Sequence, residues 1–265
     1  MKDNPRVGEG DKLPKAMIDV MWKSIITRGD ENNFKRVKEY LYNMLYGSIT
    51  PANSKSRACF KYLFFPDLSE GPFFSAKFCA IDISMPEKTR IFEESNSAFL
   101  DKKIVKNHSD LAGSTINKDS WNCVYFRSEF EDFTDIVSRF PHTANFLNRH
   151  RVATEALFSR LLPNSYISNH SDRANYVTTI HIPLNRSTGF LTVGDKSIDY
   201  SELDPICFDS TFFHSVSNDT KKNRDILLFN IWHPELTDDE IWALKLIRSK
   251  WWTDVKFDPD KGFLY

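Results

Sequence analysis

No apolar run in this sequence approaches the roughly 20 residues needed to span a bilayer. The opening MKDNPRVGEGDKLPK has no apolar stretch of the signal-peptide kind. The expectation is a soluble, cytoplasmic protein that is not exported and has no membrane partner. Neither charge is in excess: 35 basic residues against 36 acidic ones leave a formal net charge of −1. That removes any bulk electrostatic reason to bind nucleic acid. Cysteine is scarce, and Cys59, Cys79, Cys123 and Cys207 stand far apart without a C-x-x-C pair. The spacing argues against a zinc knuckle and a disulfide framework, and suits reduced thiols in a core. There is no internal repeat and no low-complexity tract.

What is present is enough for a core: 265 residues, 41% of them hydrophobic, can fold as one domain. A single catalytic domain over 1–265 is expected, in three stretches. Residues 1–128 form a helical and β-rich N-terminal part. Within it Met17, Val20, Met21 and Ile25, then Phe34, Val37, Tyr40, Leu41 and Leu45, recur at helical steps on either side of Gly29-Asp30-Glu31-Asn32. Aromatic runs between Ala58 and Ser84 read as strands, and the polar stretch Asn96–Ser120 reads as a loop. Residues 129–236 are the expected core: a helix broken near Pro141, then short strands from Ala153 to Trp232 separated by turn residues. That rhythm predicts a jelly roll or cupin-like barrel, and an α+β fold overall. Residues 237–265 are a C-terminal helix and tail, with Thr237 as N-cap and Glu240 completing a capping box.

The tetrapeptide Asn-His-Ser-Asp occurs twice, at Asn107–Asp110 and at Asn169–Asp172. A His and an Asp two apart in extended chain point to one face and can reach one ion. The second copy runs into the alternating NYVTTIHIPL, whereas the first is followed by LAGSTINKDS, which offers no strand and reads as a solvated turn. His170 and Asp172 are therefore the candidate ligands. His214 follows in the aromatic strand FFHSV, and Arg224 opens the strand RDILLFNIW. Two His and one carboxylate leave three positions open, which suits non-haem Fe(II) activating O2 beside a chelating cosubstrate. An Arg in the same barrel would match the far carboxylate of 2-oxoglutarate.

With FFHSV, Arg224, NIWHPELT at Asn230–Thr237 and SRLLPNSYISNHSD, the region from about Phe130 to Glu240 resembles the aspartyl/asparaginyl β-hydroxylase family of Fe(II)- and 2-oxoglutarate-dependent oxygenases. The resemblance implies a double-stranded β-helix, iron held by His170 and His214, and Arg224 with Ser159 on the distal carboxylate of 2-oxoglutarate. It also implies that His181 holds the cosubstrate's metal-end carboxylate instead of binding metal. Two departures matter. The animal enzymes have Gly where this chain has Asp172, so here the full triad is expected. Halogenating relatives keep a small residue there, so Asp172 points to hydroxylation. Thr179 stands where the animal enzymes carry an Arg that contacts the cosubstrate, and Arg173 is a candidate to supply that charge.

His233 and Glu235 read as structural, at a strand-to-helix corner. The substrate expected from the resemblance is a small molecule, an amino acid or a derivative, with Arg127, Arg173, Asn230, Glu155 and Trp232 as candidates to hold it. A homodimer is kept as an oligomeric option. Three rivals stand beside this reading: hydroxylation of Asp or Asn in a protein or peptide, a zinc hydrolase using the same ligands, and a cupin-like binding protein without activity.

Overall fold

The computed structural model describes residues 15–46, 51–53, 57–60, 64–108, 120–129, 131–172, 174–186, 189–252, 257–258 and 262–263. The N-terminal elements are α1 (Lys15–Ile26), α2 (Lys35–Tyr46), β1 (Pro51–Asn53), β2 (Arg57–Phe60), β3 (Phe73–Phe74), α3 (Met85–Leu100) and β4 (Lys106–Asn107). Next come β5 (Trp121–Ser128), β6 (Glu131–Asp132), α4 (Thr134–Arg139), α5 (Pro141–Asn148), β7 (Val152–Leu161), β8 (Ser165–His170) and β9 (Val177–Pro183). The last are β10 (Phe190–Val193), β11 (Lys196–Asp199), β12 (Ile206–Phe208), β13 (His214–Asn218), β14 (Arg224–Trp232), α6 (Asp238–Trp252), β15 (Phe257–Asp258) and β16 (Gly262–Phe263).

The chain divides into two compact units, where one was expected. The first holds residues 1–52, 59–68 and 236–265. Its helices α1, α2 and α6 pack on one another through buried Met21, Ile25, Val37, Leu41, Leu244 and Ile247. These side chains lie on the stripes that helical spacing defines. The capping box forms as expected: Thr237 Oγ1 accepts the Glu240 N–H at 3.2 Å, and the Glu240 carboxylate accepts the Thr237 N–H at 2.9 Å. Arg36 grips the same carboxylate through two nitrogens, at 2.7 and 2.5 Å.

The second unit, residues 53–58 and 69–235, is a jelly roll. Its larger sheet has the order β3-β12-β9-β14-β7-β5-β4, with β6 paired to β5, and its smaller sheet the order β11-β10-β13-β8. Every pairing among these strands is antiparallel. One face of the large sheet is covered by an apolar cluster that includes Ile91, Ala98, Phe146, Phe158, Ile180 and Phe229. The other face meets the small sheet through Leu161, Ile167, Leu191, Val193, Phe208 and Val216. The segment NYVTTIHIPL is therefore buried on both faces of β9, not on one. Ile180 and Ile182 enter the cluster on the first face, while Val177, Thr179 and His181 turn to a cavity on the other.

The expected core boundary at residue 129 falls too late. β5 and β3 are strands of the large sheet, because β5 supplies the neighbour that β7 needs on its far edge. Helix α3 takes up the start of what was read as loop, and its own capping signal is Ser84 Oγ accepting the Glu87 N–H. Of the strands expected between Ala58 and Ser84, β2 and β3 form. The helix broken at Pro141 is the pair α4 and α5. At the WHPELT corner, Glu235 accepts both the N–H and the hydroxyl of Ser69 at 2.6 Å, a structural role as expected. No helix among the described residues is long and apolar enough to cross a membrane.

Candidate active site

A cavity of about 190 Å³ opens between the two sheets, and its lining brings together His170, Asp172, His214, Arg224, Ser159, His181, Thr179 and Glu155. His170 ends β8 and His214 begins β13, and the two are directly opposed in the ladder, with ring centroids 4.1 Å apart. Each Nδ1 faces a backbone carbonyl, His170 that of Ser168 at 2.8 Å and His214 that of Phe212 at 2.9 Å. A carbonyl only accepts, so both Nδ1 atoms carry the proton and both Nε2 atoms keep their lone pairs. That tautomer is the one a metal ligand uses. Asp172 lies beyond the strand end. Its loop is pinned by its own N–H to the Ser210 carbonyl at 2.8 Å and by Ser171 Oγ to the Thr211 carbonyl at 2.7 Å. Burial lowers the pKa of His214 against the pull of Asp172, which keeps the imidazole neutral as a ligand must be. The donor set thus fits a metal in chemistry. Among the described residues, though, no three His, Cys, Asp or Glu side chains are already gathered at metal-site spacing.

Arg224 is 1% exposed. Its terminal nitrogens reach Tyr200 Oη at 3.4 Å and Ser159 Oγ at 3.5 Å, its Nε has no partner, and its guanidinium lies 5.1 Å from the Tyr200 ring centre. Among the described residues no carboxylate pairs with it. Tyr200 Oη also lies 2.9 Å from His181 Nδ1. Tyr200 Oη thus ties His181 to Arg224 in one buried chain of polar contacts. Burial and the neighbouring Arg224 hold His181 well below the usual imidazole range, and burial pushes the Tyr200 phenol up to about 12.

Several expected substrate residues stand elsewhere. Arg127 is spent on Asp132 at 2.6 and 2.9 Å and on the Val152 carbonyl, outside the cavity. Trp232 is buried and stacks on Tyr176, also outside the cavity. Asn230 touches the cavity wall, but its side chain is consumed. Its oxygen accepts the N–H groups of Thr154 and Glu155 at 2.8 and 3.0 Å, and its nitrogen donates to Thr154 Oγ1 at 2.9 Å. Arg173 lies outside the described residues, as do Ser109 and Asp110 of the first Asn-His-Ser-Asp copy.

That first copy nevertheless reaches the site. His108 follows β4 and lines the same cavity, with its Nε2 2.6 Å from Tyr125 Oη, so this histidine is not part of a solvated turn. Burial lowers His108 to about 4 and raises the Tyr125 phenol. Trp121 completes this wall, donating to Ser159 Oγ at 3.0 Å. Glu155 is pushed up to about 7 by burial and by the nearby charges of Asp172 and Glu129. Tyr200, Tyr125 and Trp121 were missed in the sequence because their partners are distant in the chain. Only the alternation of Trp121 and Tyr125 hinted at a strand face.

The model of the aspartyl/asparaginyl beta-hydroxylase family matches residues 86–234, from the start of α3 to the corner after β14. The chain belongs to this family. This β-hydroxylase-family chain is thereby classed with hydroxylating oxygenases. Among solved structures it is similar to a 2OG-Fe(II) oxygenase family oxidoreductase from Burkholderia pseudomallei, at 14% identity and TM-score 0.40, over 63% of this chain and 93% of that one. A prolyl-4-hydroxylase from Pseudomonas putida matches at 10% identity and TM-score 0.38, over 57% of this chain and 88% of that one. No curated protein matches this member of the β-hydroxylase family.

Proposed function

We propose that the chain is an Fe(II)- and 2-oxoglutarate-dependent hydroxylase of an unactivated C–H bond in a free amino acid or amino acid derivative. The observation that carries the reading is Arg224, a buried cation with an unpartnered Nε and no carboxylate beside it among the described residues. A charge buried without a counter-ion is costly. The distal carboxylate of 2-oxoglutarate is a planar counter-ion that a guanidinium fork matches. His170, His214 and Asp172 would hold the iron through the two free Nε2 atoms and one carboxylate. Bound Fe(II) with 2-oxoglutarate and O2 would supply the oxidising power, one oxygen atom ending in the substrate C–OH and the other in succinate as CO2 leaves.

The chain's own part is to bind, orient and exclude water. Arg224 and Ser159 anchor one end of the cosubstrate, and His181, held by Tyr200, stands at the other. Phe208, Ile226 and Leu228 line the intervening wall and keep water from the reacting centre.

Incubation with Fe(II), 2-oxoglutarate, O2 and each of the twenty amino acids should give succinate formation stimulated by at least one of them, with a singly oxygenated product by mass spectrometry. Asp172→Ala and His214→Ala should each lower succinate formation by more than about 100-fold, whereas Asp110→Ala should not. Tight zinc with no 2-oxoglutarate consumption would point to a hydrolase instead. Turnover of Asp- or Asn-containing peptides alone would move the target to proteins.

A further inference from the structure

The cavity is electrically lopsided along its length. In the wall formed by β7 and β14, Ile226 stands opposite Ser159 and Leu228 opposite Leu157, and the inward residues of β7 are Glu155, Leu157 and Ser159. Strand alternation therefore sets Arg224 and Ser159 at one end, apolar Ile226, Leu228 and Leu157 in the middle, and Glu155 at the other end. Glu155 and Ser159 are separated by about 13 Å of strand.

Among the described residues the Glu155 end offers no cation. The charged lining residues are Arg224, Asp172 and Glu155 alone among those described. No hydrogen bond or ion pair engages the Glu155 carboxylate among the described residues, although its backbone N–H is fixed by Asn230. Tyr125 and His108, bonded to each other, add aromatic surface without charge. Ser210 Oγ, 1% exposed and without a partner among the described residues, adds an open acceptor to the same lining. If Fe(II) and 2-oxoglutarate occupy the site as proposed above, their charges cancel, Arg224 offsets Asp172, and Glu155 is the carboxyl left without a counter-ion among the described lining residues.

Resting on that reading, we infer that Glu155 is the substrate anchor and pairs with an ammonium group, so that the substrate is a small primary amine, such as an amino acid held by its amino end. An amide nitrogen carries no charge, so N-acylated amino acids and residues inside a peptide are poor occupants.

Calorimetric titration tests this on protein loaded with Mn(II) and 2-oxoglutarate, using the twenty amino acids and their N-acetyl derivatives. At least one free amino acid should bind about tenfold or more tightly than its N-acetyl form. Glu155→Gln should erase that preference, and Glu155→Asp should keep part of it. Equal binding of free and N-acetyl forms, binding of neither, or a preference intact in Glu155→Gln would overturn the assignment while leaving the oxygenase reading standing. Failure of wild-type protein to bind 2-oxoglutarate with metal would overturn both. The contrast in wild-type protein needs no variant, so a misfolded Glu155→Gln does not rescue the proposal.

Discussion

Arg224 condenses the conflict between stability and function into one side chain. Its guanidinium is buried against two hydroxyls at the outer limit of hydrogen bonding, with Nε unpartnered. A buried charge without a counter-ion destabilises the fold, and exchange for an apolar residue of similar volume often gains about 1–4 kcal/mol. Arg224→Met should therefore raise the melting temperature of the ligand-free protein. The same exchange removes charged hydrogen bonds worth about 1.5–3 kcal/mol each, so the concentration of 2-oxoglutarate required should rise by about tenfold to a hundredfold. Thermal unfolding with and without 2-oxoglutarate and Mn(II) reads both effects. A variant that melts lower and still responds to 2-oxoglutarate would show that Arg224 is an ordinary core residue.

At the scale of elements, the irregular step in the β14 and β7 ladder between Phe229 and Ile231 carries a comparable load. Asn230 sits at that step, and its side-chain oxygen accepts the N–H groups of Thr154 and Glu155. Asn230→Ala strands two donors, each costing about 1–3 kcal/mol when desolvated. Chemical denaturation should show a loss of about 2–4 kcal/mol, and Asn230→Asp, which still accepts both, should lose less. This role explains why the sequence misled: an amide near a motif reads as a ligand contact, and nothing in NIWHPELT announces a bulge. What was legible came from period and caps. The strands of the jelly roll, the helices α1, α2 and α6, and the Thr237–Glu240 box all follow from local spacing. His170, His214 and Arg224 were legible because strand phase turns them toward the cavity, and Asp172 because it follows His170 two residues on, in the loop beyond β8. Tyr200, Tyr125 and His108 were not, because their roles come from pairing between distant strands. Helix α3 escaped despite its Ser84–Glu87 cap because its mixed composition gives no clear period, and its last residues from Asn96 read as polar loop.

Across the whole molecule, buried histidines set how the fold meets acid. Burial lowers the pKa of His108 to about 4 and also lowers His150, His181 and His214. In the unfolded chain these rings take up protons near pH 6.5, whereas in the fold His108 resists until about 4. Between those values the unfolded state binds more protons, so stability falls as pH falls. Glu155 acts in the opposite sense. Its folded value of about 7 lies above the ordinary carboxyl value of 4.5, so the folded state takes up its proton first and gains stability as pH drops through that window. Four imidazoles outweigh one carboxyl, and metal-free protein should melt lower at pH 5 than at pH 7.5 by at least about 5 °C. The two contributions separate by substitution. His108→Gln should make the acid-induced drop shallower, and Glu155→Gln should make it steeper by removing the one group that opposes it. Melting curves of the three proteins across pH 7.5 to 4.5 decide the matter, and parallel curves would mean that neither side chain titrates differently in the fold than in the open chain.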